Sequence, residues 1–226
     1  MILAPILVLL DTWLVRIHEG LLELVFPDRC LGCGAPQKDL CRSCIRELRL
    51  HNFRSQSGST PVFSSIQYGN KASHILLAAK EDGVQKADDI LLAALAHSLH
   101  CAMKAFGIRP ALVPIPHRKQ ALRRRGRNFV GEITDRLAEM EGLPVRSIIG
   151  HNRKVRDQSL LDASSRFGNL SGAMSVIRHC GRPCAVFLVD DLITTGATLG
   201  EAVRTLEKAG FHVVAAVTAL AALPLR

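Results

Sequence analysis

The chain is expected to fold as an α/β protein, with a parallel-rich sheet flanked by helices, preceded by an N-terminal helix and a small four-cysteine module. Three observations predict this. Short apolar runs alternate with helical patterns from about residue 61 onward. One of those runs, Ala185–Val189, has no polar position, as expected of a strand covered on both faces. Upstream, four cysteines crowd into Cys30–Cys44 in two matched C-x2-C pairs. The chain's 226 residues and 48% hydrophobic content allow a sizeable core. Charged residues make up 22%, which is not a disordered composition.

Two parts are expected. Residues 1–60 hold the N-terminal helix and the cysteine module, and residues 61–226 hold the α/β domain. Met1–Leu10 is apolar but too short to span a bilayer. It lacks a basic n-region and a small-residue cleavage site, so it does not read as a signal peptide. Trp13, Leu14, Ile17, Leu21, Leu24 and Val25 recur at helical spacing. Core packing is the default for that face, with membrane or partner docking left open. Arg54–Thr60 reads as a polar loop.

The elements then follow in order. Pro61–Tyr68 reads as a strand with a turn at Gly69-Asn70, and Ala72–Lys80 and Lys86–Phe106 as helices. Ala111–Ile115 is a short strand closed by Pro116, and Gly131–Glu141 a helix. Ala185–Val189 is followed by a helix over Leu199–Ala209, ended by Gly210, and by a buried strand over Val213–Leu220.

Asp190 and Asp191 stand at the end of the Ala185–Val189 strand, where open α/β sheets bind ligands. Adjacent carboxylates repel unless cations or hydroxyl donors compensate. A ribose diol bearing Mg²⁺ offers both. Thr194, Thr195, Gly196, Ala197 and Thr198 follow and open a helix. Small residues let backbone N–H groups approach an anion, and a helix start adds unpaired donors. Thr198 and Glu201 have capping-box spacing, which predicts that they fix that start. No G-x-x-x-x-G-K-S/T loop occurs, and no G-x-G-x-x-G follows a strand. The run Val186–Thr198, VFLVDDLITTGAT, resembles the binding motif for phosphoribosyl pyrophosphate (PRPP) of type I phosphoribosyltransferases. In that family the acids hold the ribose hydroxyls and the loop holds the 5′-phosphate.

A second strand end, Val113-Pro114-Ile115-Pro116, runs into His117, Arg118 and Lys119, then Arg123, Arg124, Arg125, Gly126, Arg127 and Asn128. Guanidinium groups suit pyrophosphate oxygens or nucleic-acid phosphates, although a basic run is also an ordinary solvated face. Asn152–Leu170 is a long polar, basic stretch with the length of a functional loop. Its candidate contacts are Arg153, Lys154, Arg156, Gln158, Arg166 and Asn169.

The order of a four-cysteine cluster, V-P-I-P, R-G-x-N, D-Q-x-x-L, R-x-x-N and LVDDxxTTGATL resembles the ComF/GntX family of phosphoribosyltransferase-like proteins from about Leu24 to the C-terminus. Two departures stand out. Arg127 replaces the family's usual Phe after R-G, and Phe129 replaces the second amide after Asn128.

Cys30, Cys33, Cys41 and Cys44 form two knuckles that can complete an all-thiolate tetrahedral set suited to Zn²⁺. Such a site has no open position, so its role is structural or recognition. Two redox-active pairs or buried thiols are the alternatives. Cys180 and Cys184 read as buried thiols. The seven cysteines do not read as a secreted disulfide framework, and a reducing, cytoplasmic setting is expected.

The net charge of +9 favours phosphate-rich partners without choosing among them, and plain solubility accounts for it equally. The resemblance implies binding of PRPP with Mg²⁺, possible transfer of its phosphoribosyl group to an unknown acceptor, and a role in DNA uptake and utilisation. The alternative is a non-catalytic PRPP-sensing adaptor that binds single-stranded DNA or a DNA-processing protein. One Trp, one Tyr and eight Phe leave little for a base-stacking platform, so phosphate contacts would dominate such binding.

Overall fold

The computed structural model describes residues 29–37, 39–116, 126–151, 172–177 and 182–222. The expected N-terminal helix, apart from Arg29, lies outside these residues. So do His117–Arg125, the stretch Asn152–Leu170 and Cys180.

Five helices and seven strands occur among the described residues. In chain order they are α1 (Arg42–Glu47), β1 (Phe53–Ser57), β2 (Thr60–Gln67), α2 (Asn70–Lys80), α3 (Gln85–Phe106), β3 (Ala111–Pro114), α4 (Phe129–Glu141), β4 (Ile149–His151), β5 (Met174–Val176), β6 (Ala185–Ile193), α5 (Ala197–Lys208) and β7 (His212–Ala221). The main sheet has the order β1-β2-β7-β6-β3. Only β1 runs antiparallel, paired to β2, while β2, β7, β6 and β3 are mutually parallel. The expected mixed, mostly parallel sheet between helices is therefore present. Strands β4 and β5 form a separate antiparallel pair. No helix among the described residues is long and apolar enough to cross a membrane.

Both faces of the sheet are covered, which is why its central strands are apolar at nearly every position. On one face Phe63, Phe187, Val189 and Val217 pack with Ile75 of α2, Leu91, Leu95 and Leu99 of α3, and Phe129 and Leu137 of α4. On the other, Val62, Val186, Leu188 and Ala216 pack with Leu199, Val203 and Leu206 of α5 and with Ile149 and Met174 of the β4–β5 pair. The chain thus leaves β3 toward the first face, through α4, and leaves β6 toward the second, through α5. These strands are neighbours, so their carboxyl ends mark a topological switch point, the position at which open α/β sheets take ligands.

Local chemistry differs from expectation in two places. Arg54–Thr60 is not a loop: Phe53–Ser57 is the edge strand β1, whose partly buried Phe53 and Ser55 and buried Ser57 alternate with exposed Arg54 and Gln56. Its hydroxyl-rich composition masks a period of two. Gly58, at φ +60°, closes the hairpin onto β2. The turn at Gly69-Asn70 leads straight into a helix, with Gly69 as the N-cap of α2 and Asn70 its first residue. Strand β6 continues through Ile193, so the acidic pair sits within the strand and not after it.

Candidate functional site

Asp190 and Asp191 lie near the carboxyl end of β6, and both are buried. Strand alternation sends them to opposite faces. Asp191 reaches the face covered by α2, where its Oδ2 ion-pairs with the Nζ of Lys80, the last residue of that helix. Asp190 takes the other direction. Its neighbour in the register is Thr218 of β7, which in turn aligns with Ser64 of β2. Thr218 Oγ1 donates to the carbonyl of Leu220 at 3.0 Å, so the 2.7 Å contact with Ser64 is a donation from Ser64. A polar row therefore crosses three central strands and ends at Asp190.

Burial and the charge of Asp191 raise the Asp190 carboxyl well above the ordinary carboxylate range, against the opposing effects of Lys80 and of the Asp191 amide that donates to Asp190 Oδ1 at 2.9 Å. The carboxyl at this position is poised to gain from any donor or cation that reaches it.

The Thr-Gly loop joins β6 to α5. Gly196, at φ +74°, caps the helix, and Ala197 is its first residue. Glycine is required here on two counts. The conformation is left-handed, and an added Cβ would stand 3.0 Å from Ser57 Oγ, which donates to the Gly196 carbonyl at 2.8 Å. Thr194, Thr195 and Thr198 are exposed, while Gly196 and Ala197 are buried. The loop thus presents three hydroxyls and a helix start beside the acids.

The expected capping box is absent. The N-cap Gly196 has no side chain to offer α5, whose first amide, that of Ala197, donates to Thr195 Oγ1 at 3.4 Å, and Glu201 serves another purpose. Buried in the second turn, Glu201 accepts from the amides of Gly172 at 2.9 Å and Met174 at 3.3 Å, and pairs with Arg204 at 2.7 Å. Arg204, with the two amides, holds the Glu201 carboxyl below its ordinary value against the effect of burial. This ties β5 to α5. On the other side of the same pair, His151 Nε2 donates to the carbonyl of Pro116 at 2.8 Å, just past the end of β3. The β4–β5 pair is thereby fastened to α5 and to the chain just past the end of β3.

Of the basic candidates, His117, Arg118, Arg123, Arg124 and Arg125 lie outside the described residues. Arg127 is described, and its donors are committed within the fold. It pairs with Asp88 of α3 at 3.0 Å and donates to Glu132 at 2.9 Å and to the carbonyl of Ala79 at 3.0 Å. Its guanidinium also sits 5.3 Å over the ring of Phe129. Arg127 and Phe129 therefore pack against each other as a clamp among α2, α3 and α4. Asn128 caps α4 by accepting from the amide of Gly131.

The four cysteines converge. The sulfurs of Cys30, Cys33, Cys41 and Cys44 all lie within 4.8 Å of one another and could hold one metal ion. Gly32 makes this possible, since an added Cβ would stand 2.8 Å from Cys44 Sγ. Burial opposes ionisation of Cys30, but the amides of Cys41, Cys33 and Gly32 outweigh it and bring the thiol down to about 6. The amide of Cys44 lowers Cys41. Burial and the surrounding thiols push Cys44 strongly up. One sulfur set thus mixes ready and reluctant thiolates, a conflict that a divalent cation resolves by ionising all four. The module is not detached. Cys30, Cys44 and Leu48 join the core beneath α2, and His74 of α2 lies 2.9 Å from the carbonyl of Gly32.

Lys80, the Ser64–Thr218 row and the tethers through Glu201 and His151 were not foreseen. Lys80 in particular is indistinguishable in sequence from a lysine complementing a helix C-terminus.

Comparison with protein-family models gives no match for this chain, and comparison with curated proteins gives no relative.

Proposed function

We propose that the protein is phosphoribosyltransferase-like and binds PRPP with Mg²⁺ at the switch point between the carboxyl ends of β3 and β6. The observation that carries this reading is the placement of a buried acidic pair and a threonine-bearing helix start at the point where two neighbouring parallel strands send their helices to opposite faces. Asp190 accepts from the ribose hydroxyls. Asp191, held by Lys80, sets the charge beside it. Thr194, Thr195 and Thr198 with the backbone of Gly196 and Ala197 receive the 5′-phosphate. The basic stretch after Pro116 meets the pyrophosphate.

Mg²⁺, when bound with PRPP, neutralises pyrophosphate charge and favours its departure. The chain's own contribution is to hold the sugar and the leaving group in place. The acceptor is not specified by any residue described here. Zn²⁺ occupies the four-cysteine cluster as a structural ion, and the order of motifs supports a ComF-like role in DNA utilisation.

The test is PRPP-dependent pyrophosphate release, with Mg²⁺, in the presence and absence of nucleobases and single-stranded DNA. Release by the wild type that is lost in the Asp190→Asn, Asp191→Asn double variant supports transfer. Tight PRPP binding without release under any condition would leave the non-catalytic adaptor, and absence of both would reject the reading.

A further inference from the structure

Helix α3 carries His97 and Cys101 one turn apart, both half-buried. Spacing of i and i+4 places them on one face, and the thiol of Cys101 lies 4.0 Å from His97 Nε2. The other ring nitrogen, Nδ1, lies 2.9 Å from the hydroxyl of Ser65 in β2. Ser65 in turn is 2.6 Å from the hydroxyl of Ser98, which lies 2.8 Å from the carbonyl of Thr218 and 3.1 Å from that of Ala94. Ser65 and Ser98 are fully buried, so these contacts are not exchanged with water.

The hydrogen-bond chain favours one tautomer of the neutral imidazole. Carbonyl oxygens only accept, and two of them lie within reach of Ser98, so we assign its single hydroxyl proton to a carbonyl. Ser98 must then accept from Ser65, whose only proton is used in doing so. Ser65 can therefore only accept from His97, and Nδ1 carries the hydrogen. The lone pair of the neutral ring is left on Nε2, facing the Cys101 thiol. A nucleophile, a base and a third group that orients the base are the three parts of an activated cysteine. The contact between sulfur and nitrogen is long, as such contacts commonly are before a reactant is engaged.

We propose that Cys101 and His97 form an activated thiol–imidazole pair, making Cys101 a site of covalent modification by small disulfides. Nε2 takes the thiol proton. The thiolate attacks one sulfur of the incoming disulfide, forming a new S–S bond to Cys101 while the original S–S bond breaks. The other half departs as a thiolate and recovers the proton from the imidazolium. Cys101 is oxidised to a mixed disulfide and the departing half is reduced, so electrons balance without a further reagent. The site lies on α3 over β2, apart from the acids of β6, and does not depend on PRPP binding.

The test uses the full chain, handled without chelators, and dithiodipyridine as the probe, with modification at Cys101 read by peptide mass mapping. The rate is divided at each pH by that of glutathione in free solution, which cancels the pH dependence of an ordinary thiol and leaves restricted access as a constant factor. The proposal expects this ratio to fall ~10-fold or more from pH ~6.5 to pH ~9, because the imidazole's help matters only while free thiols remain protonated. His97→Gln should slow the Cys101 reaction ~10-fold or more near pH 7 and leave it unchanged near pH ~9.5. A ratio that is flat or rises with pH overturns the proposal, as does a folded His97→Gln protein that reacts like wild type at neutral pH. Should His97→Gln not fold, the wild-type profile alone decides.

Discussion

Asp190 is a carboxyl whose burial opposes its own ionisation. An acid with a raised folded-state pKa holds its proton more tightly in the native chain. Its contribution to stability is therefore greatest at low pH and declines as pH rises above the unfolded value of ~3.9. Asp190→Asn removes that cost and keeps an oxygen for the Asp191 amide. The expected result is a thermal midpoint raised by roughly 2–4 °C at neutral pH, a gain of about 1 kcal/mol for a chain of this size. The gain should vanish as pH approaches ~4. A variant less stable than wild type at neutral pH would show that the buried charge is better compensated than Lys80 and the Asp191 amide suggest. The same residue scale governs Gly32. An alanine there would press on Cys44 Sγ at 2.8 Å, so Gly32→Ala should weaken metal retention by the cluster, read by competition with a chromogenic chelator.

Elements were legible where one kind of periodicity ran long enough. The 22 residues of α3 and the apolar cores of β6 and β7 follow directly from their patterns. Strand β1 did not, because on an edge strand serine serves as an inward residue, and strands β4 and β5 have three residues each, too few for any period. The misread role of Glu201 has a similar cause. Thr198 and Glu201 have the right spacing for a capping box, but the helix begins at Ala197, so Thr198 lies inside it and Glu201 turns to β5. Glu201→Ala would leave two amides and Arg204 without their acceptor and should cost about 2–3 kcal/mol in denaturant unfolding at neutral pH. Because the Glu201 carboxyl is held below its ordinary value, its contribution is present above pH ~4.3 and is lost as pH falls further. The difference between wild type and variant should shrink accordingly. The clamp between helices predicts a second loss. Arg127→Ala strands the buried Asp88 and should cost about 2–3 kcal/mol. Adding Asp88→Ala should recover part of it, as expected of residues that share one interaction. Simple additivity would argue against the clamp.

On the scale of the whole molecule, the acidic strand and the four cysteines were both readable, but their relation was not. The cysteine module rests on α2, and α2 ends in Lys80, which pairs with Asp191 near the carboxyl end of β6. Nothing local in the sequence announces a contact between residues 80 and 191, since it depends on how the sheet is wound. The same long-range dependence explains why Arg127 looked like a phosphate ligand. Its acidic partner on α3, Asp88, lies far back in the sequence. If zinc occupies the cluster, purified protein should carry one ion per chain. Cys44→Ser should then lose it and be destabilised by about 3 kcal/mol or more, in the class of effects that follow loss of a structural metal. The central claim concerns the strand ends, and calorimetric titration of PRPP with Mg²⁺ tests it most directly. Saturable one-to-one binding by the wild type, abolished in Asp190→Asn although that variant is folded and more heat-stable, is the predicted result. No binding by the wild type, or equal binding by both proteins, would contradict it.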